Sequence, residues 1–163
     1  MMEHTRVLAD DWVKAAHADH GFTLRHPPDW RVFQGRGDRP LMLVGPGIAA
    51  RPVVEAVAPA APADTDLDNY VDLQLESLGR VLTDLRLLGD DPAMVGHLEG
   101  RRLLCTYRQG IYLLNIVVWT ALGFGRALSV AGVCVATDYE RIEATFDQIV
   151  ASVHFTVPPG GMP

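Results

Sequence analysis

A chain of 163 residues, 48% of them hydrophobic, is long enough for one domain with one core and too apolar for global disorder. Its net charge of −6 argues against nucleic acid or an anionic membrane as partner, because both call for basic surface. No stretch approaches the length of an uncharged membrane span, and Met1-Met-Glu-His-Thr-Arg6 lacks the basic-then-apolar order of a secretory signal, so the expected compartment is the cytoplasm.

Residues 1–20 read as an N-terminal segment apart from the main domain. Val7, Leu8, Trp12 and Val13 suit a short amphipathic turn or an edge strand, while Asp10, Asp11 and His17-Ala-Asp-His20 are polar and expected at the surface. From Gly21 to His26 the residues alternate, with Phe22 and Leu24 on one face, as in a half-buried strand. Pro27-Pro28-Asp29 forces a turn before a strand from Trp30 to Phe33. Pro40–Val44 and Pro52–Val57 read as two further strands, separated by Gly45-Pro46-Gly47. Ala58–Asp64 is a short ordered connection. It leads to a helix over 66–82, with acidic capping residues at its start and Leu67, Tyr70, Val71, Leu75, Leu78 and Leu82 on its apolar face.

Leu85–Leu88 is expected as a strand that turns at Asp90-Asp91-Pro92 and pairs back through Ala93–Leu98. A meander follows: Arg102–Arg108, a Gln109-Gly110 turn, Ile111–Trp119, a loop, and Arg126–Val135. Such short connections imply antiparallel pairing. The middle strand is nearly unbroken apolar sequence, which predicts cover on both of its faces. The last helix spans 138–153. Thr137-x-x-Glu140 suits a capping box, and Ile142, Phe146, Ile149, Val150 and Val153 recur on one face. Residues 157–163 are expected to fray as a tail. Four strands, a helix, about five strands and a helix make an α+β domain over 21–156.

The chemical motifs have simpler structural explanations. His17-x-x-His20, with His26 and the Asp10/Asp11 pair nearby, falls short of a zinc ligand set, so exposed histidines and no metal are expected. Ser77, Ser129 and Ser152 lack a nucleophile-elbow pattern. The glycines of Gly35-Arg-Gly37 and Gly45-Pro-Gly47 lack the context of a phosphate loop. Asp64-x-Asp66-x-Asp68 lacks the glycine and closing glutamate of a calcium loop and reads as a helix cap. Arg101, Arg102, Arg108 and Arg126 are expected at strand ends, with anion binding the minor alternative. Cys105 and Cys134 fall in strands on either side of Ile111–Trp119. Two strand spacings, about 9.6 Å, exceed the reach of a disulfide, about 7 Å, so two buried free thiols are expected. No catalytic residue and no cofactor site emerges.

Several of these residues resemble the pattern of PsbP-like proteins. Gly21-Phe-Thr-Leu-Arg-His-Pro-Pro-Asp-Trp30 is similar to the family's opening hairpin, Leu67 and Tyr70 to its first helix, and Tyr139, Phe146, Ile149, Ser152 and Phe155 to its last. That family includes the PsbP subunit of photosystem II, Mog-type Ran-binding factors and DcrB-like proteins. The resemblance covers roughly residues 20–156 and rests on core and turn positions. It implies an α/β/α sandwich around a central antiparallel sheet with two long helices. It also implies a non-catalytic binding or assembly role of adaptor or chaperone type, and it transfers no active site. A small-molecule-binding protein or small enzyme is the alternative, recognisable by His26, His97 or His154 paired with a carboxylate in a deep pocket.

The two-sided apolar strand also predicts an interaction surface. If two helices leave part of it bare, something else must cover it, because large exposed apolar patches are uncommon in soluble monomers. The candidates are the N-terminal segment, a second copy of the chain in a homodimer, or a partner protein. The residues expected to form that surface are Leu8, Trp12, Val13, Tyr112 and Trp119.

Overall fold

A computed structural model describes residues 11–47 and 50–156. The expectations for Val7, Leu8 and the tail at 157–163 lie outside the described residues. Among the described residues, ten strands form two antiparallel sheets, accompanied by two α-helices. The smaller sheet holds β1 (Val13–His17), β2 (Phe22–His26) and β10 (His154–Phe155), with β2 in the centre. The larger sheet comprises seven strands: β3 (Arg31–Phe33), β4 (Leu41–Val44), β5 (Val53–Val57), β6 (Thr83–Val95), β7 (Leu98–Gln109), β8 (Tyr112–Gly123) and β9 (Arg126–Val135). Their spatial order is β3-β4-β5-β9-β8-β7-β6. The helices are α1 (Leu67–Val81) and α2 (Tyr139–Ala151). No helix among the described residues is long and apolar enough to cross a membrane.

The double apolar character of the middle strand has a direct structural meaning. Successive strand residues point to opposite faces, and each face of β8 meets its own cluster. Val117, Trp119 and Ala121 pack with Phe146, Ile149 and Val150 of α2, with Phe22 and Leu24 of the small sheet, and with Trp12 just before it. Ile116 and Val118 pack with Cys105 and Tyr107, against which Leu75 and Leu78 of α1 are seated. Each fully buried side chain of the α2 stripe contributes about 1.5–3 kcal/mol by leaving water. Gly132 permits the closest part of this packing: a Cβ there would lie 2.8 Å from the Phe146 ring. Below α1, the buried Thr120 hydroxyl donates to Gln74 Oε1 (2.7 Å), and Gln74 Nε2 donates to Ser129 Oγ (2.6 Å). Ser129 therefore holds a structural hydrogen bond opposite Thr120 in the β8–β9 ladder.

Both cysteines are free and buried, with β8 between their strands, since Cys105 stands opposite Ile116 and Cys134 opposite Asn115. The Pro27-Pro28 turn forms, closed by a bond from Trp30 N–H to the Pro27 carbonyl (3.1 Å). The connection after β5 is ordered: Ala61 N–H donates to the Gly125 carbonyl and Ala127 N–H to that of Pro59.

Four local expectations change. First, the turn at Asp90-Asp91-Pro92 does not form, and one strand, β6, runs through it. It lies at the edge of the sheet and pairs only with β7, so a residue without an N–H is tolerated there. The real turn lies at Gly96, whose positive φ and close approach to the Val153 carbonyl exclude a side chain. Second, the capping box at Thr137 is absent. A 3-10 turn over Ala136–Asp138 leads into α2, and no side chain caps either element. The first helix is capped as expected, by Asp66 Oδ1 accepting from Asn69 N–H (2.8 Å). Third, His17 and His20 are buried, not exposed, as is His26. Fourth, the N-terminal segment does not stand wholly apart: at Val13 the edge-strand alternative holds, and β1 pairs along all five of its residues with β2 at the edge of the small sheet.

Candidate functional site

The large sheet outlasts its cover at one end. Helix α1 stops at Val81, and the β7–β8 turn passes through Gly110 in the left-handed region, projecting Ile111. Thr83 lies opposite Arg108, Arg108 opposite Leu113, and Gln109 opposite Tyr112. This register gathers Val81, Ile111, Tyr112 and Leu113 at one end of the sheet, with Leu87 and Leu88 farther along the edge strand β6. All six are exposed, Ile111 by 88% and Val81 by 80%. A cleft of about 570 Å³ opens among Val81, Leu82, Asp84, Tyr107 and Arg108. Exposed apolar side chains stand here beside a cleft that also carries Thr83, Asp84, Arg108 and Gln109, a mixture of apolar and polar groups of the kind found at protein–protein interfaces.

Of the residues expected to form an interaction surface, Tyr112 and Val13 reach solvent but belong to different sheets. Trp12 and Trp119 lie in the core, in one cluster, so the segment carrying Trp12 does cover that face of β8. Leu8 lies outside the described residues. The expectation named the two ends of the apolar strand, Tyr112 and Trp119, and of these Tyr112 is exposed and Trp119 buried. The uncovered part is its first residues and the neighbouring edge, which depends on where α1 stops.

A polar cluster on the α2 side was not anticipated. Arg102 donates to Tyr139 Oη and to Glu143 Oε2 (3.3 Å), and Tyr139 O–H donates to the same Glu143 oxygen (3.0 Å). The Arg102 guanidinium also lies over the Trp119 ring, 5.6 Å from its centre. Burial and the Glu143 bond push the Tyr139 phenol up to about 12, against the opposing charge of Arg102. The i, i+4 spacing of Tyr139 and Glu143 was the available sequence signal. The anion-binding patch that was the minor alternative for these arginines is not assembled by Arg101, Arg102 and Arg126. Arg102 serves this cluster, Arg101 pairs with Asp90 and Asp68, and Arg126 donates to the Ala58 and Asp19 carbonyls.

A second cleft, about 540 Å³, lies between the small sheet and the start of α2, among Trp12, Trp30, Pro52, Cys134, Asp138 and Arg141. Burial, with Asp138 adding to it and Arg141 opposing, pushes the Cys134 thiol up to about 11, so it stays protonated and poorly nucleophilic at neutral pH. None of the three histidines that would signal an enzyme pairs with a carboxylate among the described residues. His26 Nδ1 donates to the Pro27 carbonyl (2.7 Å), and His97 and His154 are exposed. The described residues bring no three His, Cys, Asp or Glu side chains together as metal ligands.

No protein-family model matches this chain, and no curated protein does. Solved structures match closely in shape. LpqN of Mycobacterium tuberculosis, described as involved in cell envelope biogenesis, is 17% identical with a TM-score of 0.69, over 93% of this chain and 96% of that one. The cyanobacterial PsbP of Synechocystis is 11% identical with a TM-score of 0.67, over 89% and 92%. The Ran-binding protein Mog1p of Saccharomyces cerevisiae is 10% identical with a TM-score of 0.63, over 88% and 95%. At these identities the likeness establishes the fold, and the fold is PsbP-like.

Proposed function

We propose that this chain is a non-catalytic protein-binding or assembly module. In this reading the domain over 21–156 is an α/β/α sandwich, with α1 and α2 as its outer layers. The observation that carries the proposal is the apolar end of the large sheet, where Val81 and Tyr112 stand in solvent on the α1 side, with Ile111 at the turn and Leu113 on the other face. Neighbours in fold that include a Ran-binding protein and a protein of envelope biogenesis support a binding role without naming a partner. A protein surface is the occupant that fits, because large apolar side chains are exposed beside polar ones at the end of a long β-hairpin. The partner is a second copy of the chain or another protein.

Ile111→Asp tests the proposal, since this side chain makes almost no contact within the fold. Light scattering and co-purification from the native cell are compared for the parent and the variant. The expected result is loss, in the variant, of either the dimer or a co-purifying protein. A monomeric parent whose co-purifying proteins are the same with and without the substitution would sink the idea.

A further inference from the structure

The histidines expected at the surface form a buried stack. The His17 and His20 rings lie 3.9 Å apart and 3° from parallel, with His17 fully buried and Phe22 against it. Gly35 lies flat on the His17 imidazole; a Cβ there would come 2.2 Å from its ring. Each ring joins two pieces of chain. His17 Nε2 bonds the Arg39 carbonyl (2.8 Å), while its Nδ1 accepts from His20 N–H (3.2 Å). His20 Nδ1 accepts from Ala58 N–H (2.9 Å). A carbonyl only accepts, so His17 must carry its proton on Nε2 and keep Nδ1 bare. The bond from Ala58 demands the same bare Nδ1 of His20. Both rings are therefore neutral, as Nε2–H tautomers. Protonating either one sets an N–H against an N–H.

We propose that the His17–His20 stack is a pH-sensitive latch, which holds the 17–21 turn and the 34–39 loop against the β5–β9 end of the large sheet and releases them on acidification.

The surroundings favour release. Arg126 donates to the Ala58 and Asp19 carbonyls (2.7 and 3.3 Å), so its charge faces His20 from β9. Asp19 on the turn and Asp38 on the loop act in the other direction, and Asp19 is engaged by Gly37 N–H (2.7 Å). Burial first, then His17 and Arg126, lower the tendency of His20 to take a proton, with Asp38 and Asp19 opposing. The first proton also repels a second across the stack. Because the folded value lies below the unfolded one, the unfolded or opened state binds more protons in acid. Closure is thus fully favoured above about pH 6.5, the ordinary imidazole value, and weakens as pH falls below it.

The test is imidazole 15N shifts and amide hydrogen exchange by NMR, at about pH 7.5 and about pH 5. Both rings should be Nε2–H tautomers at the higher pH. On acidification, the protection factors of the His20 and Ala58 amides should fall by roughly tenfold or more, while that of Val117 in β8 holds. In His20→Asn the side-chain oxygen can replace Nδ1 as acceptor without titrating, so Ala58 should keep its protection in acid. Unchanged Ala58 protection in the parent overturns the latch. So does an equal fall in the Asn variant, which would assign the effect to carboxylates. If that variant does not fold, the parent decides: an Nδ1–H tautomer at the higher pH contradicts the geometry.

Discussion

Tyr139 shows what a single polar side chain does in the seam between α2 and the sheet. Its hydroxyl accepts from Arg102 and donates to Glu143, so the neutral phenol is the form the fold holds. The folded pKa, about 12, lies above the ordinary phenol value of 10.0. Stability from this group is therefore complete below pH 10 and drains away as pH rises through about 12. Tyr139→Phe should cost about 1–2 kcal/mol at neutral pH, because Arg102 and Glu143 each lose a bond. It should also flatten the alkaline fall in stability. Denaturant melts of both proteins across that pH range would show it. A variant as steeply alkali-sensitive as the parent would assign that sensitivity to other groups.

At the scale of elements, Gly132 decides how closely α2 approaches β9. With Phe146 carbons 2.8 Å from a would-be Cβ, Gly132→Ala should destabilise by about 1–3 kcal/mol, through displacement of the ring and the helix behind it. A melting temperature equal to the parent's would show that Phe146 has room to turn aside. Both helices and most strands were legible in the sequence, because their apolar residues repeat at 3.6 or 2 and proline or glycine marks their ends. Failures came where tertiary context decides. Pro92 reads as a breaker unless its strand is known to lie at the edge. His17 and His20 read as surface residues unless the distant acceptor at Arg39 and donor at Ala58 are known. The Thr137 box gave way to a 3-10 turn that no local pattern specifies. The docking patch was half legible: Tyr112 could be named, but Val81 joins it only through the β6–β7 register.

Over the whole molecule, the connections differ greatly in reach. The ladders β6–β7, β7–β8 and β8–β9 are tight hairpins, whereas β2 waits for β10: Thr23 pairs with His154 and Phe22 with Phe155. The Arg25 N–H bond to Ser152 Oγ crosses 127 positions. Closing such long loops is costly until both ends are ready, so the small sheet should assemble after the meander. Val117→Ala should then slow folding, while Phe22→Ala should mainly speed unfolding; chevron plots that reverse this order would place the nucleus in the small sheet. The ribosome meets the same constraint as a delay. At about 5–20 residues per second, roughly ten seconds separate the synthesis of β2 from that of its last partner strand. For that interval Trp12, Phe22 and Leu24 have no α2 to pack against. The nascent chain is therefore most dependent on holding chaperones in its earliest-made strands, although its longest apolar run comes later.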